Sequence, residues 1–167
     1  DEAKDLSVAT ALGDWDCAVL IGHVSTAIEA LFRWQGEPAQ DAVEVGVADW
    51  LNLASEEVSE LNNEFSIRYA AKRSHQQIRE LVAAAVDRGG ETVRSTVAGA
   101  SLVAPLPGLR IRFDQLLASR VLELTVHGID LAAAIGSLAV PSPAGLSVVG
   151  AILDELIDGD RPEDLSD

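Results

Sequence analysis

The segment RVLELTVHGIDLAAAIG, residues 120–136, is rich in leucine and alanine, yet it carries a glutamate, a histidine and an aspartate. At about 100° per residue in a helix, Glu123, His127 and Asp130 fall within one narrow arc, and Phe113, Leu116, Leu124 and Leu131 project into that arc or its flank. The charges share the apolar side. Ionised groups held among apolar side chains are costly unless they are paired, hydrogen-bonded or bound to a metal. Whatever this chain folds into must bring a partner to that arc from elsewhere in the sequence.

Glu123 and His127 are four positions apart, so their side chains stack on one helical face and reach a single point. That is half of a metal site. The donor expected from a facing helix is His23, in the middle of LIGHVSTA. Two histidines and one carboxylate match open zinc sites, where three protein ligands leave a position for water or substrate. Asp130, one turn beyond His127, is placed to hold a ligand imidazole or a bound water. Arg120, one turn before Glu123, is placed to steady its carboxylate or to meet an anionic group of a substrate.

Each residue has a plainer reading. A lone helical histidine is more often packed than ligating, and an E-x-x-x-H spacing is more often a surface pair. The apolar surroundings argue against a surface pair here. His75, just after Ser74, reads as a solvated residue of a first helical turn, and Cys17 reads as a small buried side chain pointing away from His23. Trp15, Trp34 and Trp50 read as anchors of the bundle. The chain contains no EF-hand loop, glycine-rich phosphate loop or G-x-S-x-G elbow.

Twelve basic against 27 acidic residues give a net charge of −15, which disfavours nucleic acid and anionic membrane surfaces as partners. No run approaches the roughly 18 apolar residues of a membrane span. The lone Cys17 excludes an internal disulfide framework and fits a reducing, cytoplasmic compartment. The length fits one domain, expected as a helical metal-binding bundle over 1–158 with an acidic tail over 159–167.

Asp14 or Asp16 can cap a first helix running to about Trp34, where WQGEP stops it. A second helical region spans about 47–71, broken near 53–55, with Val58, Leu61 and Phe65 on its apolar face. Ser74 and Gln77 form a capping box for a third helix, which Gly89-Gly90 weakens or ends. APLPGLRI marks a connection or a small hairpin-like lip. A fourth long helix runs from Phe113 to Ile135 and ends at Gly136, and a last amphipathic helix covers about 143–158. No alternation predicts a sheet, so the expected fold is all-α, an up-and-down four-helix bundle with an additional C-terminal helix. Leu122, Val126, Ile129 and Ala133 leave the fourth helix apolar on a further side, which implies either burial under the last helix or a homodimer face.

Two segments, GDWDCAVLIGHVSTAIEAL (13–31) and LLASRVLELTVHGIDLAAAIG (116–136), resemble the metal-binding domain of mycothiol-dependent maleylpyruvate isomerases, part of the DinB-like superfamily. The resemblance rests on Trp15 and His23, then on R-x-x-E-x-x-x-H-G-x-D-L read through Arg120, Glu123, His127, Gly128, Asp130 and Leu131. It implies a divalent metal, usually zinc, held by His23, Glu123 and His127, with the low-molecular-weight thiol mycothiol as co-substrate in an actinobacterial cytosol. In that family a helix precedes the tryptophan-bearing segment, and either the last helix of this chain, near 143–158, covers the same flank or residues outside this sequence complete the bundle. The resulting expectation is a thiol-using transferase or isomerase acting on a small electrophile, with Asp130 and Arg120 assisting the chemistry. Its rival is a non-catalytic metal- or ligand-binding bundle serving as a sensor or interaction module.

Overall fold

A computed structural model of the chain describes residues 5–33, 41–53, 56–96, 101–103 and 108–159. Among these the elements follow in the order α1 (Cys17–Arg33), β1 (Val43–Val45), α2 (Val47–Asn52), α3 (Glu56–Ala71), α4 (His75–Ser95), β2 (Ser101–Val103), β3 (Leu109–Arg112), α5 (Phe113–Ala134) and α6 (Pro143–Gly159). Trp34 with the WQGEP stop, and residues 160–167 of the expected acidic tail, lie outside the described residues.

Local chemistry accounts for the helix ends. Asp16, rather than Asp14, caps α1 by accepting the Val19 N–H at 2.9 Å. The Ser74–Gln77 box opens α4, with Gln77 N–H donating to Ser74 Oγ at 3.3 Å and Ser74 N–H donating to Gln77 Oε1 at 2.8 Å. After α5, Gly136 takes φ 64°. The Gly136 and Ser137 amides then return to the Ala133 and Ala132 carbonyls at 3.2 and 2.8 Å, a Schellman stop.

The bundle is all-α in its framework: α1 packs against α3, α4 and α5, and α6 is added against α5 and α2. Near one end, Leu31 of α1 meets Ile111 of β3 and Phe113 and Leu116 at the start of α5, with Trp50 packed against them. At the other, Cys17 and Ala18 join Leu6, Ala70 and Ile78, with Leu131 and Ala134 from the end of α5 packed alongside. The two helices are therefore antiparallel. Their middles, where His23 and Glu123 lie, fall between two apolar clusters.

Several sequence expectations need correction. A three-stranded sheet is present in the order β1-β3-β2, with β1 parallel and β2 antiparallel to β3. The β2–β3 pair is the expected lip, and β1 joins it from more than 60 residues away with only Val-Glu-Val to signal it. Gly89-Gly90 does not end α4, which continues to Ser95. A Cβ on Gly89 would stand 2.8 Å from Ile28 Cγ2, so Gly89 serves close α1–α4 contact. On α3, Phe65 is 52% exposed while Ser66, Tyr69 and Ala70 are buried; Val58 and Leu61 are not among the described side chains.

Of the two readings of the further apolar side of α5, burial under α6 does not hold for Val126, Ile129 and Ala133, which stay exposed, since α6 approaches the helix where Gly145 faces Val121 and Thr125. The flank of the Trp15 segment is covered by the arm before α1 rather than by α6. That arm folds back so that the Cys17 and Ala18 amides donate to Val8 and Leu6 carbonyls at 2.9 and 3.0 Å. Among the described residues no helix is long and apolar enough to cross a membrane.

Candidate metal centre

α1 contributes His23, and α5 contributes Glu123 and His127 from successive turns. Glu123 Oε2 lies 3.2 Å from His23 Nε2 and 3.2 Å from His127 Nε2. One donor atom from each residue falls within 4.8 Å of the other two. The imidazoles stand edge to face, 5.0 Å between centroids at 88°. All three side chains are largely buried, at 17–24% exposure.

The remaining ring nitrogens are engaged. His127 Nδ1 is 3.1 Å from Asp130 Oδ2, the contact expected for Asp130. His23 Nδ1 is 3.5 Å from Ser66 Oγ, whose own proton goes to the Asn62 carbonyl at 2.8 Å. Ser66 and Asp130 can thus only accept from these rings, so each Nδ1 carries its proton and each Nε2 turns toward Glu123. Two Nε2 lone pairs and a carboxylate repel one another unless protons or a cation stand between them.

The electrostatics express that demand. Burial alone would raise the Glu123 pKa, but hydrogen bonds from His127 and His23 and the nearby Arg120 charge outweigh it and hold the carboxyl below its ordinary range. The hydrogen bond to Glu123 raises the His127 pKa against the opposing effect of burial, and Asp130 adds to the rise. Metal-free, the site draws protons; the same donor set, with its outer nitrogens oriented by acceptors, fits a divalent cation such as zinc.

Arg120 supports Glu123 by its charge rather than by contact. It is only 8% exposed, its Nε donates to Ser119 Oγ at 3.2 Å, and no ion pair joins it to Glu123 among the described residues. It acts on Glu123 through space. Burial lowers its pKa while the Glu123 charge raises it. His75 stands apart from the cluster, its Nδ1 accepting the Leu6 N–H at 3.5 Å. Cys17 is fully buried, and desolvation, helped by Asp16, pushes its thiol pKa up, which leaves it protonated and inert.

The family model for the mycothiol maleylpyruvate isomerase N-terminal domain matches residues 2–132. The chain belongs to this family. The match takes in His23, Arg120, Glu123, His127 and Asp130, so the likeness seen in the two helical motifs is borne out; α6 lies beyond it. No curated protein and no solved structure matches the chain.

In this member of the mycothiol maleylpyruvate isomerase N-terminal domain family, His127 also borders a cleft of about 480 Å³. Leu12, Asp14 and Trp15 from the arm before α1 form one wall, and Asn63 and Ile67 of α3 form the other. Trp15 Nε1–H donates to Asn63 Oδ1 at 2.6 Å, and its ring stands 5.2 Å from that of His23. Trp15 is thus a wall of the site, not the bundle anchor expected of it; Trp50 alone of the two described tryptophans fills that role. Ser66 is a further residue of the site that the sequence barely marks. Its one signal is a hydroxyl on the buried stripe that Tyr69 and Ala70 define.

Proposed function

We propose that the chain is a metal-dependent, thiol-using enzyme, a transferase or isomerase, with mycothiol as the thiol and zinc as the metal. The observation that carries this reading is the convergence of His23 Nε2, His127 Nε2 and Glu123 Oε2 at one point, with both Nδ1 atoms already engaged. His23, Glu123 and His127 would hold the metal, and the family's name ties it to mycothiol. When bound, a divalent metal supplies the ionisation of a thiol at neutral pH.

The chain's own residues do the rest. Glu123 brings one negative charge to the ligand set, which leaves net positive charge to favour a thiolate over neutral water. Asp130 holds the His127 ring through Nδ1, and Ser66 does the same for His23; both are positioning residues. Arg120 keeps Glu123 ionised from behind. Trp15, its ring 5.2 Å from that of His23, lines the site with apolar surface on that side, which strengthens the electrostatics there. A thiolate sulfur gives its electron pair to an electrophilic carbon placed in the cleft. In a transfer the leaving group departs with the bonding pair, and in an isomerisation the adduct later expels the thiolate.

The test is a thiol titration of cobalt-substituted protein. A small thiol should produce a sulfur-to-metal charge-transfer band and release a proton near neutral pH. A spectrum indifferent to millimolar thiol would move the reading to a non-catalytic binding bundle.

A further inference from the structure

The hydrogen bond between Trp15 and Asn63 decides which end of the Asn63 amide a ligand in the cleft meets. An indole N–H can only donate, so the amide atom 2.6 Å from Trp15 Nε1 is the oxygen, Oδ1. Turning the amide over would set donor against donor. The indole is itself held from a separate element: the Thr10 N–H and hydroxyl both donate to the Trp15 carbonyl, at 2.9 and 2.8 Å, and Ala9 bridges Asp16 across the arm. With Oδ1 turned to the indole, the end of Asn63 left to a ligand is Nδ2, which carries two N–H donors.

Asn63 lines the same cleft as Trp15 and His127, and the volume, about 480 Å³, falls within the roughly 300–1,000 Å³ of small-molecule sites. One small molecule can therefore touch the amide while lying beside the metal cluster. Its carbon skeleton would meet the Trp15 ring, Leu12 and Ile67, and an aromatic ring suits a flat, unsaturated skeleton best. A carbonyl oxygen, which only accepts, is the match for an NH₂ group, which only donates. We infer that Asn63 is a specificity-determining residue that gives an Nδ2 N–H to a carbonyl oxygen of the cleft's ligand, and that Trp15 is the positioning residue that holds the amide in that orientation. That this ligand is the electrophile rests on the thiol-using reading above; the donor assignment rests on the Trp15–Asn63 contact.

The test uses the full chain as purified and two neutral probes of the same shape, acetophenone and α-methylstyrene, which differ in carrying C=O or C=CH₂. Binding is followed by NMR at the Trp15 indole N–H and the Asn63 Nδ2 resonances, both of which acetophenone should shift. The ratio of acetophenone to α-methylstyrene affinity should fall about three- to tenfold in Asn63→Asp, as for loss of one hydrogen bond; the aspartate still accepts the Trp15 N–H but offers no donor. Asn63→Leu, at the same exposed position, should lower the ratio without adding charge. Trp15→Phe keeps the aromatic wall but frees the amide to turn, and should lower it by a smaller factor. A ratio unchanged in both Asn63 variants overturns the inference, as does silence of the Nδ2 resonances toward acetophenone. A ratio unchanged in Trp15→Phe overturns the positioning role of the indole. Weaker thiol binding in Asn63→Leu with the probe ratio unchanged would give the donor to the thiol instead, which also overturns it. Neither probe needs thiol, so loss of the cobalt–thiol response with the Asn63 effect intact would remove the thiol reading and leave the donor standing; the opposite pattern would do the reverse.

Discussion

Ser66 Oγ stands 3.5 Å from His23 Nδ1, while its single proton is given to the Asn62 carbonyl at 2.8 Å. The hydroxyl can therefore only accept from the ring, and it selects the tautomer whose Nε2 faces Glu123. Ser66→Ala removes this acceptor from a fully packed position on α3 without adding bulk. Metal affinity, measured by competition with a chelator, should fall by about 10- to 100-fold, the range typical of partners that orient a ligand. The far-ultraviolet circular dichroism should be unchanged. Unaltered affinity would make Ser66 a packing residue only.

Asp130→Asn tests the equivalent contact on the other ring. The amide keeps the size of the side chain but loses the charge that favours the His127 Nδ1–H. The helix and most of the metal should be retained, with affinity about 10- to 100-fold weaker. Identical affinities for Asp130→Asn and the natural chain would reduce Asp130 to a surface residue.

The metal-free protein should show a pH window of stability set by the same cluster. His127 has a folded pKa above its ordinary 6.5, so its contribution is complete below 6.5 and is lost as pH rises through the folded value. Glu123 has a folded pKa below its ordinary 4.5, so its contribution is complete above 4.5 and is lost as pH falls through the folded value. Between these limits both are present. Urea midpoints of chelator-treated protein should therefore decline on the alkaline side of the window. Added zinc should stabilise increasingly there, because it no longer competes with a proton on Nε2. A flat metal-free profile, or zinc stabilisation that weakens from pH 6.5 upward, would contradict the account.

Gly89 and Gly90 should answer the same substitution with opposite signs. Alanine gains up to about 1 kcal/mol over glycine inside a helix. At Gly89 the new methyl would sit 2.8 Å from Ile28 Cγ2, and such overpacking costs about 1–3 kcal/mol. At Gly90 the nearest atom is Arg94 Nη1 at 3.4 Å, the mobile end of a long side chain. Gly89→Ala should lower the thermal midpoint and Gly90→Ala should raise it. A rise for both would show that α1 and α4 are not in close contact at Ile28.

What the sequence revealed depended on whether the controlling interaction was local. The E-x-x-x-H half-site was legible because stacking at four-residue spacing is a property of the helix itself. His23 was legible because an apolar helix bearing one histidine supplied what that half-site lacked. Ser66 was not, since a serine 43 positions away on an acidic helix has no meaning until α3 is packed on α1. Strands as short as Val43–Val45 carry too few residues to show alternation, and their pairing is set by the chain between them. Gly89 was read by propensity and is decided by Ile28. Trp15 has the composition of an anchor, and only the fold of the arm before α1 turns it toward His23.

Metal content of the purified chain and its variants, determined by elemental analysis, tests the central claim most directly. The natural protein should carry about one equivalent of divalent metal, because three ligands from two helices converge on one point. His127→Ala should lose most of it to a chelator that the natural chain resists, and His75→Ala, outside the cluster, should keep it. Full metal content in His127→Ala, or equal loss in His75→Ala, would contradict the assignment of His23, Glu123 and His127 as the metal centre.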